Sequence, residues 1–147
     1  MHELNLLTAT TIAGNAIGVA RESGFKPLAV AVLDAAGHPL VILRDERASF
    51  LRPQIATGKA RGCLGMGFGG RELARRAQAV PAFFDAINSL TGGEVIPVAG
   101  GVLIRNDVGQ ILGAIGISGD TSDNDEHCAI QAIAQAGLMA DNGDPAT

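Results

Sequence analysis

Leu28-Ala29-Val30-Ala31-Val32-Leu33 is an unbroken apolar run that stops at Asp34-Ala35-Ala36-Gly37, and Pro39-Leu40-Val41-Ile42-Leu43 follows it. A short apolar stretch without polar alternation, bounded by turn residues, reads as a strand covered on both faces. Asp34 is able to bond its own turn, and Gly37 tolerates the backbone such a turn needs, so residues 39–43 read as the returning strand of a hairpin. The same design recurs at Val102 to Arg105, the turn Asn106-Asp107-Val108-Gly109, and Ile111 to Ile117.

Outward from the hairpins the pattern changes to helical spacing. Ala9, Ile12, Ala16 and Val19 form one stripe of a helix from about Leu6 to Ser23, opposite Thr8, Thr11, Asn15, Gly18 and Glu22; Gly24 ends it and Pro27 bars continuation. Pro53 to about Met66 is a second helix, with Ile55, Lys59, Gly62, Cys63 and Met66 on one side. Met66-Gly67-Phe68-Gly69-Gly70 breaks it, Arg71 to Ala79 is a short basic helix, and Pro81 opens another whose apolar side is Phe84, Ile87 and Leu90. The last helix starts within Ser118 to Glu126, where Ser122 with Asp125 or Asp123 with Glu126 has capping-box spacing. Its apolar face is Ala129, Ile130, Ile133, Ala136, Gly137 and Ala140, and a tail from about residue 141 is expected to fray. Hairpins separated by helices imply an α+β fold with an antiparallel sheet, in one domain over residues 1–147.

The chain is 47% hydrophobic and 18% charged, which excludes a disordered chain. It has no Trp or Tyr and five Phe, so the core is aliphatic and the stacking platforms of single-strand nucleic-acid binders are missing. Net charge is −4, unevenly spread: residues 44–76 hold eight basic residues against Asp45, Glu46 and Glu72, whereas residues 120–147 hold six acids and no base. These two segments suit pairing with each other, within one chain or between subunits, better than an anionic partner. No run is long and apolar enough to span a membrane, and Met1-His2-Glu3-Leu4 lacks the basic start of a secretion signal; a cytoplasmic protein is expected. Cys63 and Cys128 stand alone and read as buried thiols.

Several of these stretches together resemble the GlcG/HbpS family, which also occurs as the C-terminal domain of PduO-type adenosyltransferases. They are Val30 to Gly37, Leu43-Arg44-Asp45 with Ala48, Ala56 with Lys59-Ala60, Pro97 to Val102, Gly113 to Gly119, and Asp125-Glu126, in order across about residues 4–140. The resemblance implies a three-layer α/β/α arrangement around a five-stranded antiparallel sheet, with homo-oligomers (dimer, tetramer or octamer) common. It also implies haem or a related tetrapyrrole, a corrinoid included, as the ligand class. Some haem-ligating relatives use a histidine on the first helix; Leu6 to Ser23 contains none.

Of the histidines, His2 lies in a terminus, His38 follows the first turn, and His127 shares the polar stripe of the last helix with Gln131 and Gln135. Each is a candidate iron ligand by chemistry. Met66, Met139, Cys63 and Cys128 sit at spacings that suit packing. The acids Asp120, Asp123, Asp125 and Glu126 lack the calcium-loop pattern and read as helix N-terminal charge, so no metal site is expected. Glu126 and Lys59 each share a face with apolar residues, and a buried charge requires a partner. Glu126 is therefore expected to pair with Lys59 or Arg44, either structurally or in a pocket that grips a carboxylate-bearing ligand or transfers a proton. The glycine clusters lack phosphate-loop settings, and Ser118 has no evident histidine partner. Candidate ligand-binding residues are thus Arg44, Lys59, Glu126 and His127, with no catalytic residue assigned. Three functions remain open: a tetrapyrrole binder that stores, senses or helps degrade its ligand; a small-molecule enzyme or accessory subunit with a Lys59/Arg44/Glu126 pocket; and a structural oligomer. The first is placed ahead, as a protein that is not an enzyme on its own.

Overall fold

The computed structural model describes residues 1–145, which hold five helices and five strands. In chain order these are α1 (Leu6–Ser23), β1 (Ala29–Asp34), β2 (Pro39–Arg44), α2 (Arg52–Met66), α3 (Gly70–Ala79), α4 (Pro81–Leu90), β3 (Gly101–Arg105), β4 (Ile111–Ser118), α5 (Ser122–Gln135) and β5 (Met139–Asp141). The sheet order is β2-β1-β4-β3-β5, and every neighbouring pair is antiparallel. Helices α1 and α5 cover one face; α2 covers the other, with α3 and α4 beyond it. This is the three-layer arrangement the resemblance implies.

Both hairpin turns form as their residues dictate. The Asp34 carboxylate accepts the N–H groups of Ala36 and His38, with Gly37 at φ +88°; the Asn106 amide oxygen accepts those of Val108 and Gln110, with Gly109 at φ +84°. Strand alternation then sorts the core. Val30, Val32, Val102, Ile104, Ile115 and Ile117 point to α1 and α5, meeting Ile12, Ala16, Ala129 and Ile133. Leu33, Leu103 and Ala114 point to the α2 side, meeting Ala60, Cys63, Leu73 and Phe84.

The α2 side is unusually close. Ala31, Gly116 and Gly101 lie in register across β1, β4 and β3. A Cβ on Gly116 would stand 1.9 Å from the Ala56 carbonyl oxygen, and one on Gly101 2.5 Å from that of Lys59. The helix is seated directly on the sheet backbone, which its own small Ala56 and Ala60 permit, while Gly58 and Gly62 admit the side chains of Ile96 and Val95.

Three expectations need correction. Helix α5 is capped by Thr121, whose hydroxyl accepts the Asn124 N–H, and not by a capping box on Ser122 or Asp123. The same helix ends at Gln135, because Gly137 takes a left-handed φ of +76° while Gly137 N–H and Leu138 N–H bond back to Ala134 and Ile133. Ala140 is accordingly in strand β5 and not on the helix. Finally, in the tail expected to fray, Asp141 bonds Arg105, the Asn142 carbonyl accepts the Arg71 N–H, and Arg75 reaches Asp144; residues 146–147 lie outside the described residues.

Candidate functional site

Lys59 arises on the α2 face that also carries Cys63, so its ammonium is carried under the sheet, and it is 4% exposed. It leaves the layer at the sheet's end, where β4 finishes and β3 begins. There Nζ donates to the Ile117 carbonyl at 2.9 Å and to Asp125 Oδ2 at 3.3 Å. Asp125, on α5 and 1% exposed, accepts the Asp120 N–H on its other oxygen at 3.0 Å. The pair joins the two helical layers around the end of the sheet. Gly100, at φ +112°, leaves the passage open: a Cβ there would sit 2.8 Å from Lys59 Nζ.

Burial pulls the Lys59 ammonium below its ordinary range, opposed by the Asp125 carboxylate. Burial likewise pushes the Asp125 carboxyl up, opposed first by the Asp120 N–H and then by Lys59. Each charge is tolerated because the other stands beside it.

Glu126 does not pair with Lys59 or Arg44 as expected. Its carboxylate takes a two-pronged contact from Arg71 of α3, at 2.8 Å and 3.2 Å, and Arg71 also bonds Asp123. The expected Lys59/Arg44/Glu126 pocket is not formed, because α5 is rotated so that Asp125, and not Glu126, faces Lys59. Asp125 shares its face with Cys128, Ala129 and Ala132, all buried, and that spacing was the signal for it. Arg71 gives no such signal in the sequence, since α3 carries basic residues at several positions.

Arg44 folds back on its own loop, donating from Nη1 to the carbonyls of Asp45, Glu46 and Ala48. Asp45 completes that loop, accepting from the Arg47 backbone and from the side chains of Arg47 and Arg21. These contacts, Arg47 foremost, hold its carboxyl well below the usual carboxylate range. A depressed folded pKa contributes stability that is complete above the unfolded value and is lost as pH falls through the folded one. The stability gap between the parent and Asp45→Asn, followed by urea unfolding, is expected to begin narrowing below about pH 4 and to go on narrowing as the pH falls further.

His127 stays on the exposed stripe of α5, its ring edge-on to Phe25 at 6.3 Å. His2 and His38 are exposed, and His38 Nδ1 lies 3.9 Å from Asp34. Burial pushes both Cys63 and Cys128 thiols up to about 12, so neither supplies a thiolate near neutral pH. Ser118 is buried and accepts from Arg52 at 3.0 Å. Among the described residues no group of three or more His, Cys, Asp or Glu side chains is placed to hold a metal ion. No helix of the described residues is long and apolar enough to cross a membrane.

Hollows in the surface lie elsewhere, one of about 530 Å³ between α3 and β5 lined by Phe68, Glu72, Arg76, Arg105 and Asp141. A groove of about 540 Å³ runs beside α2, lined by Ile42, Pro53, Thr57, Gly58 and Arg61 together with the Gly92-Gly93-Glu94 turn. A second hollow of about 250 Å³ adjoins it, sharing Arg61 and Glu94 and reaching Gly37, Leu64 and Val95. The Arg61–Glu94 ion pair lies at the junction. None of the four residues expected in a binding site lines either hollow. The groove draws on β2, α2 and the turn after α4, which no local motif links.

The sequence matches the family described as Haem degrading protein HbpS-like over residues 4–134. The chain belongs to that HbpS-like family. Among solved structures, a PduOC:heme complex is 26% identical with a TM-score of 0.82, covering 92% of this chain and 96% of that one. An HbpS double mutant from Streptomyces reticuli is 29% identical with a TM-score of 0.79, covering 92% and 88%. The Klebsiella pneumoniae protein ORFY, at 23% identity and a TM-score of 0.83 over 93% and 92%, shares the fold. A search of curated proteins finds no match to this sequence.

Proposed function

We propose that this chain binds a tetrapyrrole, haem first and a corrinoid second, in the groove beside α2, and does so as a homo-oligomer in the cytoplasm that stores, senses or helps degrade the ligand. The observation that carries the reading is the groove itself, in a chain of a family with a haem complex among its similar structures. Its volume lies within the roughly 300–1,000 Å³ of small-molecule sites. Ile42 and Pro53 offer apolar contact to a flat ring, and Leu64 adds to it in the adjoining hollow. Arg61, now paired with Glu94, is the cation for a ring carboxylate, since a guanidinium grips a carboxylate with two parallel bonds.

The donor set fits the ring and its carboxylates better than it fits the iron. Neither a histidine nor a cysteine is among the residues lining the groove. When bound, haem would supply redox and oxygen chemistry; the chain's own residues would hold the ring, neutralise a carboxylate and exclude water from one face. With no nucleophile beside a base at the groove, the reading is a binding protein and not an enzyme on its own.

A second reading is favoured by one observation: His127 is an exposed imidazole already packed against an aromatic ring. Titrating the protein with haemin and with iron-free protoporphyrin separates the two. Binding in the groove predicts similar affinity for both rings and a loss of about tenfold in Arg61→Met, the scale of one charge-assisted contact. Ligation by His127 predicts a Soret shift with haemin alone, abolished in His127→Ala. Spectra identical to free haemin and free protoporphyrin would refute both.

A further inference from the structure

The two rims of the sheet are not alike. β5 closes one rim with three residues, and Asp141 on it is bonded to Arg105. β2 forms the other rim over six residues, and its central Val41-Ile42-Leu43 carries no charge and no proline. Natural edges are blunted by Lys, Pro or a bulge because an open row of N–H and C=O groups templates another strand. Here the bulge opposite Val32 and Leu33, with Pro39, protects the turn end alone.

Backbone direction along β2 follows from the register. Asp45 N–H bonds the Leu28 carbonyl, and β1 pairs Val30 with Leu43 and Val32 with Val41. Alternation therefore turns Ile42 and Arg44 outward, and among the described residues no backbone group takes up their N–H or C=O. Apolar surface lies beside this open row: Ile42 is 46% exposed, and at the start of α2 Leu51 is 49% and Phe50 82% exposed. Phe50 follows the loop that Arg44 and Asp45 hold rigid, so presenting it costs little ordering.

We propose that β2 pairs with β2 of a second copy of this chain, antiparallel about a two-fold near Ile42 and Leu43, joining two sheets into one. The proposal names the surface of the self-association put forward above and rests on that part of it. Two features select a second copy as occupant. An antiparallel edge is self-complementary under a two-fold, so each outward N–H meets a carbonyl of the same strand in the copy. The groove's Ile42 end opens at this rim, so the copy supplies the wall it lacks.

Light scattering from about 1 to 100 µM protein should show a dimer or a multiple of it, and Ile42→Lys should weaken association at least about 100-fold while its circular dichroism and melting curve stay those of a folded chain. Oxidation of Ile42→Cys and Leu43→Cys should cross-link one or both within the assembly, whereas Val108→Cys, exposed at the remote turn, should not. The native thiols are buried and stay silent. A monomer throughout that concentration range refutes both the self-association and its surface. An oligomer that survives Ile42→Lys, or cross-links no faster at residues 42 and 43 than at 108, refutes the surface and leaves the self-association standing.

Discussion

Replacing Gly116 with alanine is expected to lower stability by about 3 kcal/mol, near the upper end for overpacking a single site. The added methyl would stand 1.9 Å from the Ala56 carbonyl oxygen, and that atom is helix backbone with no side chain to swing aside. Relief requires α2 to lift from the sheet, loosening Ala60 and Cys63 against Leu103 and Ala114 and drawing Lys59 away from Ile117 and Asp125. Gly14→Ala is the control: it lies within α1, meets nothing within 4 Å, and should gain up to about 1 kcal/mol from helix propensity. Urea unfolding of the two variants measures both. Equal stability of Gly116→Ala and the parent would show that the helix does not rest on the sheet as described.

Removing one member of the Lys59–Asp125 pair is the second large effect. Asp125→Ala leaves an ammonium with 4% exposure and no counter-charge, and a loss of about 3–5 kcal/mol is expected near pH 7. The double variant Lys59→Met with Asp125→Ala should recover most of it, because an apolar pair of similar size asks for no charge. The difference between the sum of the single losses and the double loss is the coupling of the pair. The sign of the pH dependence is fixed. In Asp125→Ala the folded Lys59 holds its proton less tightly than the unfolded chain does, so between the folded pKa and about 10.4 the unfolded state binds more protons. Stability of that variant should therefore rise with pH, and the penalty at pH 9 should be smaller than at pH 7. A penalty that does not change with pH would mean that the lysine is not stranded as a charge.

Much of this architecture is written locally. Asp34 and Asn106 bond their own turns and Gly24 ends α1, each from interactions within a few residues, and the unbroken apolar runs of β1 and β4 announce strands covered on both faces. The burial of Lys59 is also legible, from its place beside Cys63 on the helix. Its partner is not. Asp125 and Glu126 are adjacent on a helix whose apolar stripe passes close to both, and the rotation of α5 that chooses between them is set by packing on α1 and the sheet. Gly137 shows the opposite failure. Its sequence signal was present, but its place in the apolar stripe let periodicity outweigh the left-handed stop that makes room for β5. The groove was illegible for a different reason: its walls come from segments up to about fifty residues apart, and its emptiness is a property of none of them.

On the edge pairing proposed above, the three residues of β5 would govern how far sheet-to-sheet joining can proceed. A molecule with one open rim would join one other by that route, and growth of the sheet would be finished. Cleavage or a bulky fusion that detached residues 139–141 would bare Leu103 and Ile104 on the opposite side, giving each molecule two adhesive rims. On that proposal closed pairs would give way to open-ended filaments, and the short C-terminal strand would act as a terminator of polymerisation.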